Sequence, residues 1–232
     1  MDGRAFMNPL TIAPSEFILG GQKSGKSRRA ELLARTWLES SSSHRAVLIA
    51  TAQPWDDEMR ERIARHQADR AERVPGMVTV EEPLALAEAI AQHSRPDTLV
   101  VVDCLTLWLT NLRMPMEGQR SEPTEACAAG RFAQVKEEPA TRAGDTEQNV
   151  HPYKPLALVN TAQTATLLGA IEAASGPVVL VGNEIGLGVI PMGAEVRAFV
   201  DALGRLNQDV ASVCQRVTLM AAGLPLYLKD QP

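Results

Sequence analysis

Gly20-Gly21-Gln22-Lys23-Ser24-Gly25-Lys26-Ser27 decides the reading of this chain. It fits the pattern G-x-x-x-x-G-K-[ST], a loop that holds nucleotide phosphates. Its glycines let the backbone come close to a phosphate, and successive N–H groups form an anion nest. A helix starting near Ser27 adds its positive end. In this pattern Lys26 reaches the β- and γ-phosphates and the Ser27 hydroxyl binds Mg²⁺. The mechanism needs a strand before the loop and a helix after it. Phe17-Ile18-Leu19 is the apolar run before, and 28–39 carries alanines and leucines at helical spacing after. A chance glycine-rich turn has no reason to carry both flanks.

Outward from the loop, strands and helices alternate. Residues 46–50 read as a second strand. Asp56, Asp57 and Glu58 open a helix with acids on its positive end, running through His66 on a stripe with Met59 and Ile63. A short strand is expected at 78–80 and a helix at 84–91. Leu99-Val100-Val101-Val102 is a continuous apolar run ending at Asp103, the pattern of a buried parallel strand. A helix follows at 105–112. From about 113 to 154 the periodicity fades into Pro, Glu, Gly, Thr and Gln, which reads as a long polar surface insertion. Pattern resumes with a helix at 156–174, a buried strand at 177–181, a glycine-rich loop at 184–193 and a long amphipathic helix at 195–214. Strands at 216–220 and 224–228 close the chain. The expectation is a single α/β catalytic domain over 16–232, after an N-terminal extension at 1–15. Its sheet is mostly parallel, with helices on both faces and an antiparallel edge.

Three further segments carry chemistry. A carboxylate at the end of a buried strand, as at Asp103, serves the Mg²⁺ shell beside the phosphates, although any strand can end in an Asp that caps a turn. His66 has two readings: a helix-face histidine packed among apolar neighbours, or a neutral imidazole that attacks an α-phosphate. In the second, Arg62, Arg65 and Arg70 stabilise charge on the nucleotide. Asn183-Glu184-Ile185-Gly186-Leu187-Gly188-Val189-Ile190-Pro191 follows a buried strand, and loops at strand ends line the crevice of this fold class. Glu184 there would meet metal, a substrate hydroxyl or an arginine, or else cap a glycine-rich turn. On the last long helix, Arg205, Asn207 and Gln208 read as a solvated face. Gly204 costs ~1 kcal/mol relative to Ala inside a helix, which a close helix contact would explain.

Composition narrows the classes. The 232 residues are 45% hydrophobic, enough for one full core. A net charge of -5 argues against broad nucleic-acid binding, and 4% aromatics leave no stacking platform for single strands. Cys104, Cys127 and Cys214 are odd in number, widely spaced and without metal spacing, which points to a reducing, cytoplasmic setting. Residues 1–15 do not read as a signal peptide, and no stretch approaches the ~18 apolar residues of a membrane span. There is no Asn-Lys-x-Asp guanine motif and no Leu-Ser-Gly-Gly run, which counts against signalling GTPases and transporter ATPases.

The ordered set of motifs resembles a known family. The phosphate loop comes first, then Ala50-Thr51-Ala52, Asp57-Glu58-Met59, Arg62-Ile63-x-x-His66-x-x-x-Arg70 and Glu81-Glu82-Pro83-Leu84. The segment from Val102 to Leu112, the Asn183–Pro191 loop and Gly204-Arg205-x-Asn207-Gln208 complete it. Together they resemble the bifunctional adenosylcobinamide kinase/adenosylcobinamide-phosphate guanylyltransferase family of cobalamin biosynthesis, from Phe17 to Leu228. The resemblance implies a RecA-like P-loop NTPase fold, a homotrimer and two reactions. Adenosylcobinamide is phosphorylated with ATP or GTP. GMP then passes from GTP, through a guanylyl-histidine, to that phosphate. His66 matches the histidine. Nucleotide contacts carry over to Gly20, Gly21, Gln22, Lys23, Ser24, Gly25, Lys26 and Ser27, to Thr51 and Ala52, to Gln67, Ala68, Asp69 and Arg70, and to Glu82 and Asp103. Lys23 stands where the family often has Arg, and the 113–154 insertion and the 1–15 extension depart from the family pattern.

Overall fold

In this computed structural model, residues 10–54, 57–113 and 156–231 are described; within them, the side chains of residues 62 and 156–160 are left aside. Most of the expected extension and insertion lies outside the described residues, as do Trp55 and Asp56.

β1 (Ser15–Gly20) is buried along its whole length. It can be so because it is interior, pairing in parallel with both β5 (Val178–Val181) and β6 (Arg216–Ala221). The seven-stranded sheet has the order β3-β2-β4-β5-β1-β6-β7, with β2 at Arg45–Ala50, β3 at Met77–Glu81, β4 at Thr98–Asp103 and β7 at Leu224–Asp230. All pairings are parallel except β6 with β7, which turns back antiparallel at the edge. The sheet, its helices and its antiparallel edge are therefore as the sequence implied.

Successive strand residues point to opposite faces, and two cores follow from that. Phe17, Leu19, Val100, Val102, Val178 and Leu180 pack on one face against α3 (Leu86–His93), α4 (Leu105–Arg113), α5 (Leu156–Glu172) and α6 (Ala194–Val213). Ile18, Leu99, Val101, Val179 and Val181 pack on the other against α1 (Lys26–Ser40) through Ala30, Leu33 and Ala34, with Val74 after α2 (Asp57–Arg73).

β1 also holds a fully buried carboxylate, Glu16. It accepts from Arg29 Nε at 2.9 Å and from the Thr218 hydroxyl at 2.8 Å, with Arg216 at 3.5 Å. Both arginines lie over the Tyr227 ring, 5.4 and 5.5 Å from its centre. A buried charge needs this pairing, because desolvating it alone costs several kcal/mol.

Two expectations change, while α2, expected to run through His66, continues to Arg73 and carries Asp57 and Glu58 in its first turn with Arg70 and Arg73 in its last. These charges complement the helix dipole at both ends. A Cβ on Gly204 would meet no atom of the described residues within 4 Å, so no close helix contact among them explains it. Asn207 belongs to no solvated face, being buried under the site described next.

Candidate active site

The phosphate loop sits at the C-terminal end of β1, and its shape depends on glycine at two places. Gly20 has φ 153°, and a Cβ on it would lie 2.5 Å from the Met220 carbonyl oxygen and 2.6 Å from Ser24 Oγ. Gly25, with φ 103°, precedes α1 in the left-handed region. Ser24 N–H closes the turn onto the Gly21 carbonyl at 3.3 Å, and Gly223 N–H from the β6–β7 turn braces the Ser24 carbonyl at 3.0 Å. Lys26 folds back over the loop, its Nζ donating to the Gly21 carbonyl at 2.7 Å. Burial pulls the Lys26 ammonium below the usual lysine range, while Cys104 and Asp103 act in the opposite sense. Gln22 and Lys23 are exposed, Ser27 is half-buried at the start of α1, and the Ser24 hydroxyl is buried with no partner among the described residues.

The ends of β2 and β4 are bolted together. The Thr51 hydroxyl donates to the Cys104 carbonyl at 2.7 Å and accepts from the Cys104 N–H at 2.9 Å. Asn111 on α4 donates to the Thr51 carbonyl at 2.7 Å and to the Pro83 carbonyl at 3.1 Å. Thr51, an expected nucleotide contact, is fully buried, with its side chain committed to this clasp. Glu82, another, accepts from the Leu84 and Ala85 N–H groups at 2.9 and 2.8 Å, in the turn that leads into α3.

His66 lies on α2 and is exposed, so the reading in which it packs among apolar neighbours does not hold. No described residue hydrogen-bonds to its ring. Arg73 bridges to Glu31 of α1 at 3.1 Å. Both helices run back from the edge where their strands end. His66 precedes Arg73 by roughly 10 Å of helical rise, and Lys26 precedes Glu31 by roughly 7.5 Å. Counted from that bridge, His66 and Lys26 stand at comparable rises along their own helices.

The other expected contacts on α2 have separate surroundings. Gln67 donates to Glu81 at 3.2 Å and lines, with Ala52, Pro54, Ile63 and Ala64, a cavity of ≈ 220 Å³. Arg70 is buried and donates to Thr79 Oγ1 at 3.3 Å. Asp69 pairs with Arg73 at 3.1 Å, and Ala68 is exposed.

β5 lies between the strand of the phosphate loop and the strand of Asp103, so the loop after it emerges between them. That loop is pinned three ways. Asn183 N–H donates to Thr106 Oγ1 at 2.9 Å, the buried Asn207 amide donates to the Asn183 carbonyl at 3.1 Å, and Glu184 N–H donates to the Gly20 carbonyl at 3.1 Å. Glu184 lines a cavity of ≈ 430 Å³ with Gly21, Gln22, Lys23 and Ser24. Thr106, Asn111 and Asn207 were not singled out from sequence as site supports. The available signal was a polar group inside an apolar helical run, which is tolerated in a core only when hydrogen-bonded.

Comparison with known proteins agrees with the motif order. Residues 16–228 match the family model described as cobinamide kinase / cobinamide phosphate guanyltransferase. The bifunctional adenosylcobalamin biosynthesis protein CobP of Pseudomonas aeruginosa is 38% identical over 94% of this chain and 98% of its own. CobU of Escherichia coli, with the same description, is 30% identical over 91% of this chain and 98% of its own. Among solved structures, the RadB recombinase covers 90% of this chain and 75% of its own at 12% identity and a TM-score of 0.41, too distant a likeness to add to the fold described above.

Proposed function

The chain belongs to the cobinamide kinase / cobinamide phosphate guanyltransferase family, and from that premise we propose how its residues divide the two reactions. In the first, adenosylcobinamide takes the γ-phosphate of ATP or GTP, with Gly20 to Ser27 holding the phosphates and Lys26 stabilising charge as it moves toward the leaving group. In the second, His66 attacks the α-phosphate of GTP. A P–N bond forms to the imidazole, and the bond to the β-phosphate breaks with release of pyrophosphate. The phosphate of adenosylcobinamide phosphate then attacks the guanylyl-histidine, giving adenosylcobinamide-GDP and freeing the imidazole. Ala52, Gln67, Ala68, Asp69 and Glu82 serve as nucleotide contacts, and the buried Thr51 and Arg70 support them from beneath.

The observation that carries this reading is the exposure of His66 on α2. An imidazole held off the core is available as a nucleophile, which a packed one is not. Mg²⁺ fits the Ser27 hydroxyl and the Asp103 carboxylate. The described residues contain no cluster of three acids, histidines or cysteines, which suits a cation that arrives with the nucleotide and keeps phosphate and water ligands. When bound, it neutralises phosphate charge. No described helix is long and apolar enough to cross a membrane. A cytoplasmic homotrimer that binds no nucleic acid completes the reading.

The test is incubation with α-labelled GTP and Mg²⁺ followed by denaturation. An acid-labile, base-stable label is expected on the wild type and none on His66→Ala, whose cobinamide phosphorylation survives at least in part. Lys26→Ala should lower both activities by about 10²–10³-fold, as for loss of a charge-stabilising donor. A full guanylyl-transfer rate in His66→Ala would sink the covalent route, and normal kinase turnover in Lys26→Ala would refute a shared phosphate cradle.

A further inference from the structure

We propose that Glu184 is a catalytic residue of the phosphorylation step. Its carboxylate binds the acceptor hydroxyl and takes its proton as that oxygen attacks the γ-phosphate. The inference rests on the kinase reading above and deepens it.

Position comes first. Because β5 separates β1 from β4, its C-terminal end opens between the strand of the phosphate loop and the strand of Asp103. The Glu184 backbone is held there with little freedom. Its N–H is bonded to Gly20, the first residue of the phosphate loop, at 3.1 Å. The preceding residue is gripped from α4 by Thr106 and from α6 by Asn207. Such support is what a group needs if it is to be held close to a productive geometry.

Chemistry comes second. Of the acids near β1, Glu16 is spent on Arg29 and Arg216, and Asp103 faces the metal role. Glu184 is the acid that lines the cavity beside Gly21 to Ser24, whose other wall is Leu219 to Ala222 at the end of β6. One of its oxygens, Oε1, accepts the Gly186 N–H at 2.8 Å. An ionised carboxylate has about four acceptor sites, so this contact leaves capacity for a hydroxyl. Gly186 also leaves space for the group: a Cβ there would lie 3.1 Å from Glu184 Oε1. Beyond it the loop turns apolar and open, with Leu187 at 82% and Val189 at 97% exposure, a surface suited to a bulky acceptor with apolar faces.

The step balances. A bond forms between the acceptor oxygen and the γ-phosphorus. The bond from that phosphorus to the β,γ-bridging oxygen breaks, and its electron pair leaves with the nucleoside diphosphate. The hydroxyl proton passes to Glu184, which returns it to water after product release.

The experiment compares full-length wild type, Glu184→Gln and Glu184→Ala in two assays: phosphorylation of cobinamide, and labelling by α-labelled GTP. Gln keeps a carbonyl oxygen for the Gly186 N–H but cannot take a proton, so it separates catalysis from loop capping. Both variants should lose about 10²–10⁴ in kinase kcat, the range for a general base. Nucleotide KM should stay within about threefold, so that kcat rather than KM carries the loss. The ratio of phosphorylation to guanylylation should fall steeply in both. Near-normal kinase kcat in Glu184→Gln with loss in Glu184→Ala would overturn the proposal in favour of a turn cap. Equal loss of both activities with a raised nucleotide KM would overturn it in favour of a brace for the phosphate loop. A wild type that does not phosphorylate cobinamide would instead overturn the underlying kinase reading, which a failure of Glu184 alone would leave standing.

Discussion

Burial of single side chains gives this protein a specific alkaline response. Cys104 and Cys214 are both buried, and desolvation pushes their thiols up to about 11 and about 12 from an ordinary value of 9.0. A thiol raised in the folded state stabilises the protein fully below the unfolded value and loses that contribution as pH climbs through the folded one. Stability should therefore decline between about pH 9 and 12. Urea unfolding of wild type and Cys214→Ala checks it: the deficit of the variant, caused by lost packing, should shrink across that window, and parallel curves would contradict the assignment. Residue identity was legible from sequence where a motif fixes it, as at Gly20, Gly25 and Lys26. Thr51 was named from its motif, but its clasp was not legible, because its hydroxyl partner lies 53 positions away. A bond across that distance exists only once β2 and β4 are neighbours.

Among the elements, α4 does two jobs. Leu105, Trp108 and Leu109 enter the core, while Thr106 and Asn111 reach out to the loops after β5, β2 and β3. Replacing Asn111 with Leu strips the donor from two carbonyls, which should cost on the order of 1–3 kcal/mol for groups left unsatisfied. Asn111→Asp should be worse at neutral pH, because it sets a carboxylate against those carbonyl oxygens. Denaturant titration reads both, and an Asn111→Leu protein as stable as wild type would show the clasp to be idle. The interior strands were readable to within a residue or two because their apolar runs are nearly continuous. The length of α2 was not, for a physical reason: its second half has no apolar stripe, and the fold holds it instead by ion pairs of Arg73 with Glu31 and Asp69 and by the buried Arg70.

For the molecule as a whole, alternation of strands and helices revealed a parallel sheet but not its order. Nothing local in 178–181 announces that this strand slips between β1 and β4, and that insertion is what brings Glu184 to the phosphate loop. The outer surface was equally silent. β7 leaves Leu224, Leu226 and Leu228 exposed at 70%, 57% and 56% along the sheet edge. An uncovered apolar edge of this kind invites a partner. Sedimentation of the wild type should give a trimer, and Leu226→Glu should shift it toward the monomer; a wild-type monomer at micromolar concentration would remove the assembly from the functional reading.

The placement of β1 has a consequence for the birth of the chain. Glu16 is bonded to Thr218 across 202 positions, and both neighbours of β1 come from the last third of the sequence. The phosphate loop leaves the ribosome well before β5 and β6 do, so the strand that presents it waits for both of its partners. Through that interval the nascent protein carries its nucleotide signature on a strand whose neighbours are still missing, and a message cut short before β6 never supplies the second of them.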